Sequence, residues 1–137
     1  MSTRRTSSPY IAVRRTTALA RSGEAAQRSR LEAQDMVGQE EAAQLLGVVP
    51  EVIESRVANG ELLGLQHPGL GLRLPRWQFA DPIRSAVSQL FLDLGTTEPW
   101  ALFLWLETPL GALDGRTPRV AIEQGDVERV QDIARGG

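Results

Sequence analysis

The chain has 137 residues, of which 42% are hydrophobic, so it can form one compact domain or two small ones. It contains no cysteine, which excludes disulfides and cysteine–zinc sites and is typical of a reducing cytoplasm. No apolar run approaches the roughly 18 residues of a membrane helix, and the basic N-terminus lacks the apolar segment of a signal peptide. We therefore expect a soluble, cytoplasmic protein with no membrane partner.

Charge is distributed unevenly along the chain, and all 15 basic residues are arginine. Residues 1–30 contain seven arginines and one acid, a net charge of +6, whereas residues 31–137 contain eight arginines and sixteen acids, a net charge of −8. This pattern predicts a basic arm beside an acidic body. The arm can bind phosphates, because arginine makes forked hydrogen bonds to them. The alternatives are a solvated leader or the arginine usage of a GC-rich genome.

Residues 1–22 are rich in Ser, Thr and Arg, and we expect little fixed structure there. Residues 24–37 have helix-forming composition but only a thin apolar stripe, so residues 1–37 are predicted to be a basic N-terminal arm that can contain a helix. A short helix is predicted over residues 39–47, because acids occupy its first turn and a glycine ends it.

Pro50 favours the start of a second helix, over residues 50–58, which Asn59-Gly60 ends. Residues 62–65 and 72–74 are predicted to be two strands of a hairpin around the turn residues His67-Pro68-Gly69. Helix, turn, helix and hairpin together predict a winged helix-turn-helix over residues 38–80.

Four further helices are predicted, over residues 82–94, 100–106, 118–123 and 127–134, and they make residues 81–137 a helical C-terminal domain. The predicted fold class is therefore mainly α, with one small β-hairpin. The apolar stripe of the helix over residues 82–94 is a natural surface for dimerisation or for contact between domains.

Two stretches resemble known families. EEAAQLLGVVPEVIESRVANGELLGL followed by GLGLRLPRWQF resembles the winged helix-turn-helix of the MerR and excisionase type. FLWLETPLGALDGRTPRVAIEQGDVERVQDIARGG resembles the toxin-binding domain of the Xre/MbcA/ParS antitoxins, the partners of RES-domain toxins. The residues that carry the second pattern are Trp105-Leu106, Pro109, Leu113, Gly115-Arg116-Thr117-Pro118, Gly125-Asp126 and Val130. Together the resemblances cover about residues 38–137.

These resemblances imply a type II antitoxin that binds and neutralises a RES-domain toxin and represses its own operon by binding operator DNA. A homodimer is expected, because operator-binding repressors usually match a two-fold symmetric site. There are two departures from the pattern. Antitoxins named for Xre carry a five-helix repressor-type domain, whereas this sequence predicts a winged form. The second helix also presents Glu51 and Glu54, carboxylates that a phosphate backbone repels.

The candidate DNA-binding residues lie on the second helix and on or beside the hairpin: Ser55, Arg56, Arg73 and Arg76. Arg56 can instead pair with Glu51 or Glu54 on its own helix. The candidate toxin-binding residues are the arginines around the C-terminal pattern and the chain end: Arg116, Arg119, Arg129, Arg135, Gly136 and Gly137. Residues 115–118 can also be a turn that enters a helix, with Thr117 as its cap and Pro118 at its first position.

No enzymatic activity, cofactor or metal is predicted. His67 is the only histidine, and it has neither a cysteine nor a second histidine to complete a metal site. No nucleophile elbow, phosphate-binding glycine loop or paired-carboxylate motif surrounds it. Two other functions remain open: a stand-alone DNA-binding regulator of the excisionase or MerR kind, and a protein-binding adaptor that has lost DNA affinity.

Overall fold

The computed structural model describes residues 23–136, and the chain divides into two units between residues 33 and 34. The predicted structure of residues 1–22 and the predicted role of Gly137 lie outside the described residues. In the first unit, residues 23–31 are helical (α1), and the Arg28 Nε atom lies 3.5 Å from Glu32 Oε2.

The second unit begins with the strand β1 (Met36–Gly38) and the helices α2 (Gln39–Leu46) and α3 (Pro50–Ala58). Gly47 ends α2 with a φ of 70°, a conformation that favours glycine. The strands β2 (Leu65–His67) and β3 (Gly71–Pro75) form a hairpin, and a 3-10 turn follows over Arg76–Phe79.

These strands form a three-stranded antiparallel sheet in the order β1-β3-β2. Val37 is opposite Leu74 in one pair, and Gln66 is opposite Leu72 in the other. The sequence predicted a hairpin alone, and it predicted that residues 24–37 can form a helix. In the structure the helix ends at residue 31, and residues 36–38 pair with the distant strand β3 instead. The first predicted strand also lies later than expected, since residues 62–64 precede β2.

The sheet, α2 and α3 share one hydrophobic core. Its buried members come from β1, α2, α3, the residues that precede β2, and β3: Val37, Ala42, Ala43, Ile53, Leu62, Leu72 and Leu74. Burial of these side chains stabilises the fold by about 1–3 kcal/mol for each large aliphatic residue. We call residues 34–80 the sheet region.

Residues 81–136, which we call the helical region, contain α4 (Ile83–Leu94), α5 (Pro99–Leu106), α6 (Pro118–Glu123) and α7 (Val127–Ala134). The helix α4 contacts each of the other three. Its apolar face is therefore buried within the chain, through Ile83, Ala86, Val87, Leu90 and Phe91. The described fold is mainly helical with a small antiparallel sheet, which confirms the coarse fold prediction.

Candidate partner-binding and nucleic-acid-binding surfaces

The exposed surface of α3 is acidic. Ile53 is buried in the core, which leaves Glu51, Glu54 and Ser55 exposed. Arg56 lies in the last turn and is half-buried. No ion pair joins Arg56 to Glu51 or Glu54 among the described residues, so its guanidinium is available to an external anion. The helix therefore offers one cation beside two carboxylates.

The two arginines on and directly after the hairpin, Arg73 and Arg76, interact with other residues of the chain. Arg73 lies on β3, the central strand, opposite Gly38, where an added Cβ atom would be 3.5 Å from Arg73 Nη1. Arg76 places its Nη2 atom 2.5 Å from the Glu41 carboxylate. This exposed pair joins the 3-10 turn to α2 and offsets the charge that a phosphate would bind. His67 stabilises the hairpin turn, since its Nδ1 atom accepts a hydrogen bond from the Gly69 N–H at 3.0 Å.

The Gly115-to-Pro118 segment forms the entrance to α6. Gly115 has a φ of 85°, and the Thr117 hydroxyl caps the helix by accepting a hydrogen bond from the Val120 N–H at 3.1 Å. Pro118 takes the first helical position and is buried. The physical chemistry of a turn that enters a helix accounts for these three residues.

Arg116 joins three parts of the helical region. Its Nε donates to the Leu113 carbonyl at 3.0 Å, Nη1 donates to Gln124 Oε1 at 2.8 Å, and Nη2 donates to Asp126 Oδ2 at 2.9 Å. Its side chain is 25% exposed. Arg116 thereby connects the turn before α6 to the turn before α7, and Asp126, another residue of the pattern, is its counter-ion.

Arg119 and Arg129 also have partners in their own chain. Arg119 pairs with Glu123 one turn later, at 3.1 Å, and its guanidinium lies 5.0 Å from the centre of the Trp77 ring. Arg129 donates to the Ala112 carbonyl and lies 3.9 Å from the Asp114 carboxylate. The charge of both cations is therefore already partly compensated within the chain.

Arg135 lies at the end of α7, between two carboxylates. Its Nη2 atom is 2.5 Å from Asp132 Oδ1, and its Nη1 atom is 3.2 Å from Asp93 Oδ1. The hydrogen bond with Asp132, followed by that with Asp93, raises the pKa of the Arg135 guanidinium, while desolvation lowers it. Gly136 follows as an exposed residue. Arg135 is a toxin-binding residue predicted from the sequence, whereas Asp93 was not predicted, because nothing in the sequence separates it from other helix carboxylates.

A cavity of about 300 Å³ lies between the end of α3 and the end of α4. Its lining includes Val57, Ser88, Phe91, Leu92 and Pro99, and none of its lining residues is titratable. The cavity therefore offers apolar contact but no group for acid–base chemistry. Among residues 23–136 no group of three or more His, Cys, Asp or Glu side chains is placed to hold a metal ion.

Comparison with known proteins finds no family model, curated protein sequence or solved structure that matches this chain. In the part of the chain that the structure describes, the helices are all too short or too polar to cross a membrane.

Proposed function

We propose that this chain is a type II antitoxin whose helical region binds and neutralises a RES-domain toxin. The observation that carries the proposal is the Trp105-to-Val130 pattern, which lies entirely in the helical region. Arg116 and Asp126 of the pattern are hydrogen-bonded to each other, and Leu113, Pro118 and Val130 are buried. Residues of the sequence pattern that also contact each other or are buried in the fold support the resemblance better than the sequence pattern alone does.

The proposal includes a winged helix-turn-helix in the sheet region, used for operator binding and autoregulation. The order of elements supports this part of the proposal. Two helices, α2 and α3, are followed by the β2–β3 hairpin, and the strand before them, β1, pairs with β3. In this arrangement α3 is the helix that enters the major groove and the β2–β3 hairpin is the wing. Arg56 is then the cation that contacts DNA from α3, beside Ser55.

Operator binding also implies a homodimer. The apolar face of α4 is used within the chain, so a dimer needs a different surface from the one that the sequence suggested. Large apolar side chains that remain exposed are Leu45, Val49, Leu92 and Leu104. We propose that the dimer surface includes at least one of them.

Toxin binding is tested by expressing the full chain with the protein encoded by the neighbouring gene, which the proposal predicts to be a RES-domain toxin. The expected result is a complex that co-purifies, together with rescue of growth from the toxicity of that protein. A matched pair of variants, Leu104→Asp on the exposed face of α5 and Gln44→Asp on the exposed face of α2, then locates the surface. The absence of both complex and rescue with the wild-type chain contradicts the proposed function.

A stand-alone DNA-binding regulator is the second candidate. This candidate is favoured by the ion pairs that four arginines of the helical region make within the chain, because such pairs reduce the charge available to a protein partner. These arginines are Arg116, Arg119, Arg129 and Arg135. Mobility shifts on the chain's own promoter, at low and moderate salt, separate the candidates when combined with the co-expression result. Glu54→Gln is expected to tighten DNA binding and Arg56→Gln to weaken it, with the salt slope smaller by about one for the arginine variant.

A further inference from the structure

An almost fully buried carboxylate binds the C-terminal end of the chain. Asp93 lies in the last turn of α4, and its side chain is 2% exposed. Its Oδ1 atom accepts hydrogen bonds from Gln89 Nε2 at 2.8 Å and from Arg135 Nη1 at 3.2 Å. Its Oδ2 atom is buried and makes no hydrogen bond within the described part of the chain. A carboxylate in this environment depends on its cation, because an uncompensated buried charge is strongly unfavourable.

Arg135 supplies that cation from the end of α7, a helix that contacts α4. The guanidinium is shared between the buried Asp93 and Asp132, whose side chain is 67% exposed. If a partner drew Arg135 away, Asp93 would stay buried with neither a cation nor a complete set of hydrogen bonds. The end of α7 is therefore tied to α4 by a contact that is costly to break.

We propose that Asp93 is a positioning residue, which holds Arg135 so that the end of α7 meets the partner as a preformed surface and not as a released tail. This inference rests on the proposed function, since it concerns the same partner-binding end of the chain. Asp93, Arg135 and Asp132 together carry a net charge of −1. The partner group that fits this surface is therefore a lysine or arginine that pairs with the exposed Asp132 carboxylate, and not an anion.

Hydrogen exchange on the isolated full-length chain tests the positioning role without any partner. Asp93→Asn is expected to speed amide exchange over residues 127–136 by about tenfold or more, because the end of α7 loses its buried anchor. Asp132→Asn is the matched control, since it removes the other carboxylate from the same arginine, and we expect less than about a twofold change. Equal exchange in the two variants overturns the proposal.

A second pair of variants keeps the test decisive if Asp93→Asn does not fold. Arg135→Gln removes the cation from the exposed side and is expected to speed exchange at the end of α7. Arg135→Lys retains the charge and is expected to restore part of the protection. If the lysine and glutamine variants exchange equally fast, an ion pair with Asp93 does not position this end.

Binding to the protein encoded by the neighbouring gene, the proposed RES-domain toxin, then tests the preformed surface. We expect Asp93→Asn to weaken the complex by about tenfold or more, and Asp132→Asn to weaken it without changing exchange in the isolated chain. Wild-type or tighter binding by Asp93→Asn shows that the end must be released, which overturns the proposal. A wild-type chain that binds nothing contradicts the proposed function instead, and hydrogen exchange still decides the role of Asp93.

Discussion

The sheet region and the helical region use their polar residues differently. In the helical region, Arg116, Arg119, Arg129 and Arg135 each lie within 4.0 Å of a carboxylate of the same chain. On α3 of the sheet region, Glu51, Glu54 and Arg56 have no such partner among the described residues. The number of arginines in a segment therefore does not by itself show whether that segment presents a basic surface.

Buried polar groups show the same contrast. The sheet region encloses the neutral amide of Gln78, which is 0% exposed, whereas the helical region encloses the charged carboxylate of Asp93. Both the oxygen and the nitrogen of the Gln78 amide are hydrogen-bonded to the backbone of one residue, Leu63. The Asp93 carboxylate instead depends on Arg135, which is 42 positions away in the sequence.

Gln78→Met is expected to have the largest effect on stability. The Gln78 side chain accepts from the Leu63 N–H at 2.7 Å and donates to the Leu63 carbonyl at 2.7 Å. Methionine preserves the length of the side chain but leaves both backbone groups unpaired. We expect a loss of about 2–4 kcal/mol in the free energy of unfolding, since each unpaired buried group costs about 1–3 kcal/mol.

Urea unfolding followed by circular dichroism measures the loss. Gln44→Met, on the exposed face of α2, is the control, and we expect it to change stability by less than about 0.5 kcal/mol. Equal stability of the two variants would show that the Gln78 amide contributes nothing to holding this segment.

Gly64→Ala tests close packing in the sheet region. An added Cβ atom would lie 2.7 Å from Val57 Cγ2 and 2.9 Å from Leu72 Cδ1. The β-branched valine has little freedom to move aside, so we expect a loss of about 1–3 kcal/mol. Gly111→Ala is the matched control, because no heavy atom lies within 4 Å of its added Cβ atom. Thermal unfolding of both variants measures the difference, and a loss that is not larger for Gly64→Ala contradicts the packing argument.

Arg116→Gln tests whether the Gly115-to-Pro118 segment has a structural role. The substitution removes the charged hydrogen bond to Asp126 and shortens the reach to Leu113 and Gln124. We expect a loss of about 1–2 kcal/mol in unfolding free energy, within the range for hydrogen bonds to charged groups. Arg56→Gln, whose arginine has no ion-pair partner among the described residues, is the control for stability. A stable Arg116→Gln variant that fails to bind its partner would instead assign Arg116 directly to the interface.

Arg119→Gln is expected to have the smallest effect. The guanidinium interacts with the face of Trp77 and pairs with Glu123, and exposed contacts of this kind contribute about 0.5–1 kcal/mol. Urea unfolding measures the change in stability, and Trp77 is one of the three tryptophans whose fluorescence follows it. Arg119→Lys keeps the cation and should show a smaller change, so an identical effect of both variants argues against an interaction between the cation and the ring.

Much of the helical pattern could be predicted from glycine and proline. Gly47 and Gly95 end α2 and α4 in the left-handed conformation, and Pro50, Pro99 and Pro118 lie at the first turns of α3, α5 and α6. These residues act through their own backbone preferences, which are local and visible in the sequence. The apolar periodicity of α4 was equally informative about its buried face, although not about what covers it.

The strand β1 and the side-chain pairs could not be predicted in the same way. Residues 36–38 pair with β3, whose residues come 35 or more positions later, and nothing in three residues indicates that partner. The pairs Arg76–Glu41 and Arg135–Asp93 join residues 35 and 42 positions apart. Periodicity and composition carry no information on contacts of that range, since many carboxylates could serve each arginine equally well.

Most helix boundaries after residue 38, many of the residues that face a core, and the basic-to-acidic asymmetry of charge were visible in the sequence. Local backbone preferences and apolar periodicity are properties of neighbouring residues, so one chain is enough to show them. The pairing of the arginines, and the contact of Asp93 with Arg135 at the end of α7, became visible only in the tertiary structure. The Asp93–Arg135 pair depends on how α4 and α7 pack, because burial determines whether a charge needs a partner within its own chain.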